Sequence, residues 1–134
     1  MTKLTSIEGI GEKYGKALES AGVSTQQELL AKGATPAGRK KIAESSGLSG
    51  KLILEWVNQA DLARVKGVGE EYADLLEAAG VDTVPELAQR NADNLLAAME
   101  ATNAEKNLVR QLPTREQVAD WVDQAKALPR IIEH

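Results

Sequence analysis

A stretch of 23 residues occurs twice in this chain. IEGIGEKYGKALESAGVSTQQEL, beginning at Ile7, lies over VKGVGEEYADLLEAAGVDTVPEL, beginning at Val65, so the second copy follows the first by 58 positions. A duplication of this kind means that one supersecondary unit is used twice. It divides the 134 residues into two pieces, 1–64 and 65–134, each near the lower size limit for independent folding. The two are therefore expected to share a core and to pack into one compact helical body.

Both copies read as helices joined by tight turns. Tyr14, Ala17, Leu18 and Ala21 fall at i, i+3, i+4 and i+7, which is one face of a helix, and Gly22 supplies the stop. Tyr72, Leu75, Leu76 and Ala79 repeat the pattern, with Gly80 as the stop. The next helix in each copy has the spacing of a capping box, Thr25 with Glu28 and Thr83 with Glu86. Beyond the duplicated stretch, Thr35 with Pro36 opens a helix ended by Gly47, and Ser49 opens one that carries Trp56. In the second half Asn91 opens a helix through Leu95, Leu96 and Met99, and Thr114 with Gln117 forms another box ahead of Trp121. The segments EWVNQA and DWVDQA correspond at a separation of 65, which implies an insertion of seven residues between about Arg90 and Arg115. No alternating run of β-branched residues is present, so the expected class is all-α.

Composition removes several functional classes. The chain has no cysteine, which excludes disulfides and thiolate metal sites. Its only histidine is His134, so no Ser-His or Cys-His pair can be built, and no calcium-loop, zinc-ligand or GxxxxGK spacing is present. The expectation is a protein with no catalytic residue, no metal and no cofactor. No apolar run approaches the roughly 20 residues of a membrane span and the N-terminus lacks a signal-peptide pattern, so a cytoplasmic protein with no membrane partner is expected. Two tryptophans and two tyrosines occupy matched places in the repeats, on apolar helix faces. That placement points to packing and leaves few platforms for stacking on bases.

Each copy opens on a Gly-hydrophobic-Gly turn, Gly9-Ile10-Gly11 and Gly67-Val68-Gly69, directly before a helix. Glycines let backbone approach a ligand closely, and the unpaired N–H groups of a helix start suit a phosphate. The sequence hydrophobic-x-Gly-hydrophobic-Gly resembles the helix-hairpin-helix motif. The layout from IEGIGEKYGKALESAGV through GATPAGRKKIAESSGLSGKLILEWVNQADLARVKGVGEEYADLLEAAGVDTVPELAQRN to LPTREQVADWVDQAKALPR resembles the DUF4332 family, uncharacterised bacterial proteins built from such hairpins. The resemblance implies two tandem helix-hairpin-helix units and contact with DNA regardless of base sequence. Carried onto this chain, it assigns the amides of Gly9, Ile10 and Gly11 to a phosphate, with Lys13 and Lys16 as nearby cations. It also allows a structural monovalent cation at the hairpin carbonyls.

Charge separates the copies. Residues 1–64 hold 9 Lys and Arg against 7 Asp and Glu, and residues 65–134 hold 7 against 13. Any weak contact with a DNA backbone is expected in the first half. There Gly38-Arg39-Lys40-Lys41 forms the densest basic cluster, readable as a degenerate hairpin with Arg39 and Lys40 facing phosphate, or as a solvated helix face. The second turn has Lys66 but is followed by Glu70, Glu71 and Asp74, which cap a helix dipole well and repel phosphate. The glycines there read as permission for a tight helix crossing. The rival function is an adaptor for another protein or for self-assembly, using the same charge asymmetry.

Overall fold

The computed structural model describes Leu4, Ile7 and residues 10–133. Eight helices are present among the described residues, with no strand, so the fold is all-α. The chain divides into two compact units, the first comprising Met1–Asp61 with Ile131–His134, the second Leu62–Arg130.

The first unit holds α1 (Glu12–Ser20), α2 (Gln26–Lys32), α3 (Pro36–Ser46) and α4 (Gly50–Leu62). Each boundary has a local cause. Gly22, at φ +83°, and Gly47, at φ +76°, end α1 and α3 in the left-handed region that side chains avoid. The Thr25 hydroxyl accepts from the Glu28 N–H at 3.1 Å, and the Thr35 hydroxyl accepts from the Gly38 N–H at 3.0 Å, capping α2 and α3. Helix α3 packs on both α1 and α2. Gly38 brings α3 close to α2, and Gly33 brings the end of α2 close to α4. A Cβ on Gly38 would lie 2.0 Å from the Lys32 carbonyl oxygen, and one on Gly33 would lie 2.5 Å from a Val57 methyl. Leu18, Val23, Leu29, Ile53, Trp56 and Val57 form the centre of the core.

The second unit repeats the scheme with α5 (Glu70–Ala78), α6 (Val84–Ala88), α7 (Ala92–Lys106) and α8 (Arg115–Ala127). Leu76, Val81, Leu87 and Trp121 occupy its core in the places held by Leu18, Val23, Leu29 and Trp56 in the first. The aromatic pairs match as well: Tyr14 and Trp56 have ring centroids 5.3 Å apart at 50°, Tyr72 and Trp121 5.2 Å apart at 52°. Tilted rings at that distance stabilise a core by about 0.5–1.5 kcal/mol beyond the area they bury. The capping boxes differ. Thr114 and Gln117 form a complete reciprocal box, whereas the Thr83 hydroxyl bonds the Glu86 carboxylate at 3.2 Å and caps no backbone N–H. Asn91 caps α7, a helix of 15 residues where α3 has 11, and this accounts for part of the inserted length.

Two sequence expectations are corrected here. The buried apolar residues fall into two clusters, one per unit, instead of one shared core. The C-terminal residues group with the first unit and not with the second: Ile132 is 2% exposed within the first core. Isoleucine at 132 follows the last helix by several residues, so no local periodicity reports where it packs.

Candidate functional site

In the first turn Ile10 is buried, and its N–H donates to the Ile7 carbonyl at 3.1 Å. That amide therefore faces inward and is not available to a phosphate, contrary to the sequence expectation. Gly9 lies outside the described residues. Gly11 is the N-cap of α1, exposed, with ordinary extended backbone (φ −84°, ψ −175°) and no side chain to cap the helix. Among the described residues a Cβ there would meet nothing within 4 Å. Neither its backbone conformation nor packing against the described residues accounts for glycine at this position.

Lys13 and Lys16 lie on the exposed side of α1, opposite the buried Gly15 and Leu18. The Lys16 ammonium is 3.3 Å from a Glu12 carboxylate oxygen, with both side chains well exposed, an ion pair weak enough to be displaced by a competing anion. Lys13 has no ion-pair partner among the described residues. Lys40 and Lys41 are exposed on α3, which packs against α1 in the same unit.

Arg39 is placed differently from the sequence expectation. It is 8% exposed, its Nη1 donates to the carbonyls of Gly33 at 2.9 Å and Ala34 at 3.3 Å, and its Nη2 donates to the Glu133 carbonyl at 2.9 Å. Burial lowers its pKa, and the Glu133 carboxylate partly offsets this. A guanidinium bonded to three main-chain carbonyls is a structural brace, not a phosphate ligand. Gly38 is likewise explained by the close approach to Lys32, so the Gly38–Lys41 cluster is an ordinary stretch of α3 and not a further glycine turn.

The second turn shows which glycine of the pair the fold requires. Gly67 sits at φ +94°, and a Cβ on it would lie 3.0 Å from the Trp121 Nε1. Val68 is buried and its N–H donates to the Val65 carbonyl at 3.1 Å, as Ile10 does in the first turn. Gly69 matches Gly11: N-cap, φ −86°, no side-chain cap, and open space where a Cβ would stand. Glu70 and Glu71 are exposed beside it, and Arg110 shares their open cleft. Asp74 is half-buried on the same helix, and desolvation raises its pKa, opposed by Lys106.

Two groups at the second turn escaped the sequence reading. The Gln124 amide clamps Lys66 from both sides, its Oε1 accepting from the Lys66 N–H at 2.8 Å and its Nε2 donating to the Lys66 carbonyl at 3.1 Å. Arg110 comes from the loop after α7, far along the chain, and only the tertiary fold brings it to the turn. The repeat of Gln59 and Gln124 within EWVNQA and DWVDQA was the one available signal for the clamp.

These features define a class: an all-α protein of two small helical units, the second opened by a glycine-flanked turn on a tryptophan and the first by its sequence counterpart. The chain belongs to the family described as Domain of unknown function (DUF4332), whose model matches residues 8–128. No curated protein and no solved structure matches it. Among the described residues no helix is long and apolar enough to cross a membrane.

Proposed function

We propose that the two units are tandem helix-hairpin-helix units and that the first makes non-catalytic contact with a DNA backbone, independent of base sequence. The observation that carries this reading is Gly11. Among the described residues nothing requires glycine there, it leaves the start of α1 without a side-chain cap, and it leaves open the space a phosphate oxygen would need. Lys13 and Lys16 supply the neighbouring positive charge. Lys40 on α3 adds to the same unit's potential, while the braced Arg39 does not take part.

Gly69 has the same open geometry and Glu70 matches Glu12, but Glu71 stands in the place of Lys13 and Asp74 in the place of Lys16. With few cations the contact is weak and falls steeply with salt, by a slope of about −0.9 per neutralised phosphate in a log–log plot. Fluorescence anisotropy of a labelled duplex at low and moderate salt tests this. Binding at low salt should weaken at least severalfold on Lys13→Glu or Lys16→Glu. No binding at low salt would overturn it. The rival reading, an adaptor for another chain, is favoured by the excess of acidic residues in the second half.

A further inference from the structure

Within the second unit an open cleft of about 600 Å³ lies over Gly67, between the start of α5, with Glu70 and Glu71, and the loop after α7, with Arg110 and Gln111. Side-chain bonds hold both walls. The Gln124 amide clamps Lys66 on the turn. Across the cleft the Asn103 amide clamps Val109 in the same way, accepting from its N–H at 2.9 Å and donating to its carbonyl at 3.2 Å, and the Tyr72 hydroxyl donates to the Gln111 carbonyl at 3.0 Å. Arg110 therefore stands between two fixed residues. Glu70, Glu71 and Arg110 are all exposed, and among the described residues none of them makes an ion pair although they share the cleft. Opposite charges held apart on fixed walls are both open to a guest, and a preformed site loses little freedom on binding one.

The floor adds a buried donor. Trp121 is 1% exposed, and among the described residues its Nε1–H has no acceptor. A Cβ on Gly67 would lie 3.0 Å from Nε1 and 3.9 Å from each of the two ring carbons bonded to it, which puts that position along the N–H direction. The donor is thus aimed at the part of the cleft floor where Gly67 carries no side chain. A buried indole N–H ordinarily has a partner, so this one calls for an acceptor oxygen from outside the fold. We propose that the cleft receives an extended peptide of a partner protein, with a main-chain carbonyl on the Trp121 N–H and one Lys or Arg side chain held by Glu70 and Glu71. A carbonyl supplies the acceptor without a charge, so the two carboxylates do not repel it as they would a phosphate. Arg110 on the opposite wall repels a second cation, so the peptide carries a single basic residue and not a polybasic run. The site is independent of the DNA reading, since Gly11, Lys13 and Lys16 take no part in it.

The test is an NMR titration of the full chain with two capped probes, acetyl-Gly-Arg-Gly-amide and acetyl-Gly-Glu-Gly-amide. The chain has two tryptophans, so nitrogen-15 labelling gives one indole N–H resonance for the site and one, from Trp56, as an internal control. One carbonyl bond and one exposed ion pair place the affinity of so short a probe in the mM range, and the titration runs to ~10 mM. The arginine peptide should move the Trp121 indole resonance saturably while that of Trp56 stays in place. Joint replacement Glu70→Gln and Glu71→Gln, both at exposed positions, should weaken this by about tenfold, the scale of two exposed ion pairs. Lys13→Glu should leave it unchanged, which separates this site from the DNA contact. No saturable movement of the Trp121 resonance, an equal response to the glutamate peptide, or full binding by the double variant overturns the proposal.

Discussion

The two units have cores of matching design and differ in how they are closed. Tyr14 against Trp56 and Tyr72 against Trp121 have nearly the same geometry, and Leu18, Val23 and Leu29 correspond to Leu76, Val81 and Leu87. The second unit is a continuous piece of chain, whereas the first is completed only by residues that follow the whole of the second. Their surfaces have also diverged, with Lys13 at the start of α1 where Glu71 stands at the start of α5. Packing constrains the buried positions of a duplicated unit tightly, because a lost methylene is felt in a dense core. Solvated positions carry no such constraint, and there a duplicated turn can keep its shape while its electrostatics reverse.

The largest effect that can break the comparison is in the aromatic pairs. Trp121→Ala should destabilise the second unit by about 3–5 kcal/mol, and Trp56→Ala the first by a similar amount. Because each unit has its own core, hydrogen exchange should show amides of the mutated unit losing protection first. Equal loss in both units from either substitution would show that they unfold as one.

Arg39→Ala comes next and has no counterpart in the second unit. It removes a buried brace on three carbonyls and should cost roughly 2–3 kcal/mol in chemical denaturation, the scale of charge-assisted bonds lost from a buried site. The same substitution should make the bond after Arg130 more sensitive to trypsin. Unchanged stability would mean that the segment Ile131–Glu133 does not close the first unit.

The helices were legible in the sequence, because apolar spacing, threonine caps and glycine stops are local causes acting over a few residues. The boundaries at Gly22, Gly47 and Gly80 follow from it directly. The C-terminal closure was not legible. Arg39 and Glu133 are 94 residues apart, and an arginine within a basic cluster reads as surface until the carbonyls around it are known. The candidate site was half legible. The glycine turns were found, but the inward N–H of Ile10 and the differing roles of the paired glycines required backbone geometry.

A smaller effect separates those paired glycines. Gly67→Ala should cost about 1–2 kcal/mol from the left-handed backbone alone, with the approach to Trp121 adding to it. Gly69→Ala and Gly11→Ala should each cost less than about 1 kcal/mol, since an alanine N-cap is merely poor and the Cβ meets nothing. Thermal denaturation of the three variants compares them directly. A destabilised Gly11→Ala would give that glycine a structural cause and weaken its reading as a ligand contact.

The smallest effect concerns pH and belongs to the second unit. Burial raises the Asp74 pKa above its unfolded value, so the folded state binds the proton more tightly. The resulting stability is fully present below the unfolded pKa and is lost as pH rises through the raised folded value. Asp74→Asn should flatten that part of the stability–pH curve, measured by denaturant midpoints across the acidic range. An unchanged slope would remove Asp74 as its source.

The claim that one turn contacts phosphate and its duplicate does not is tested most directly by an NMR titration of backbone amides with a short DNA duplex at low salt. The account expects shifts centred on Gly11, Lys13 and Lys16, with Gly69, Glu70 and Glu71 unmoved. Shifts centred on the second turn, or none at either turn, would contradict it.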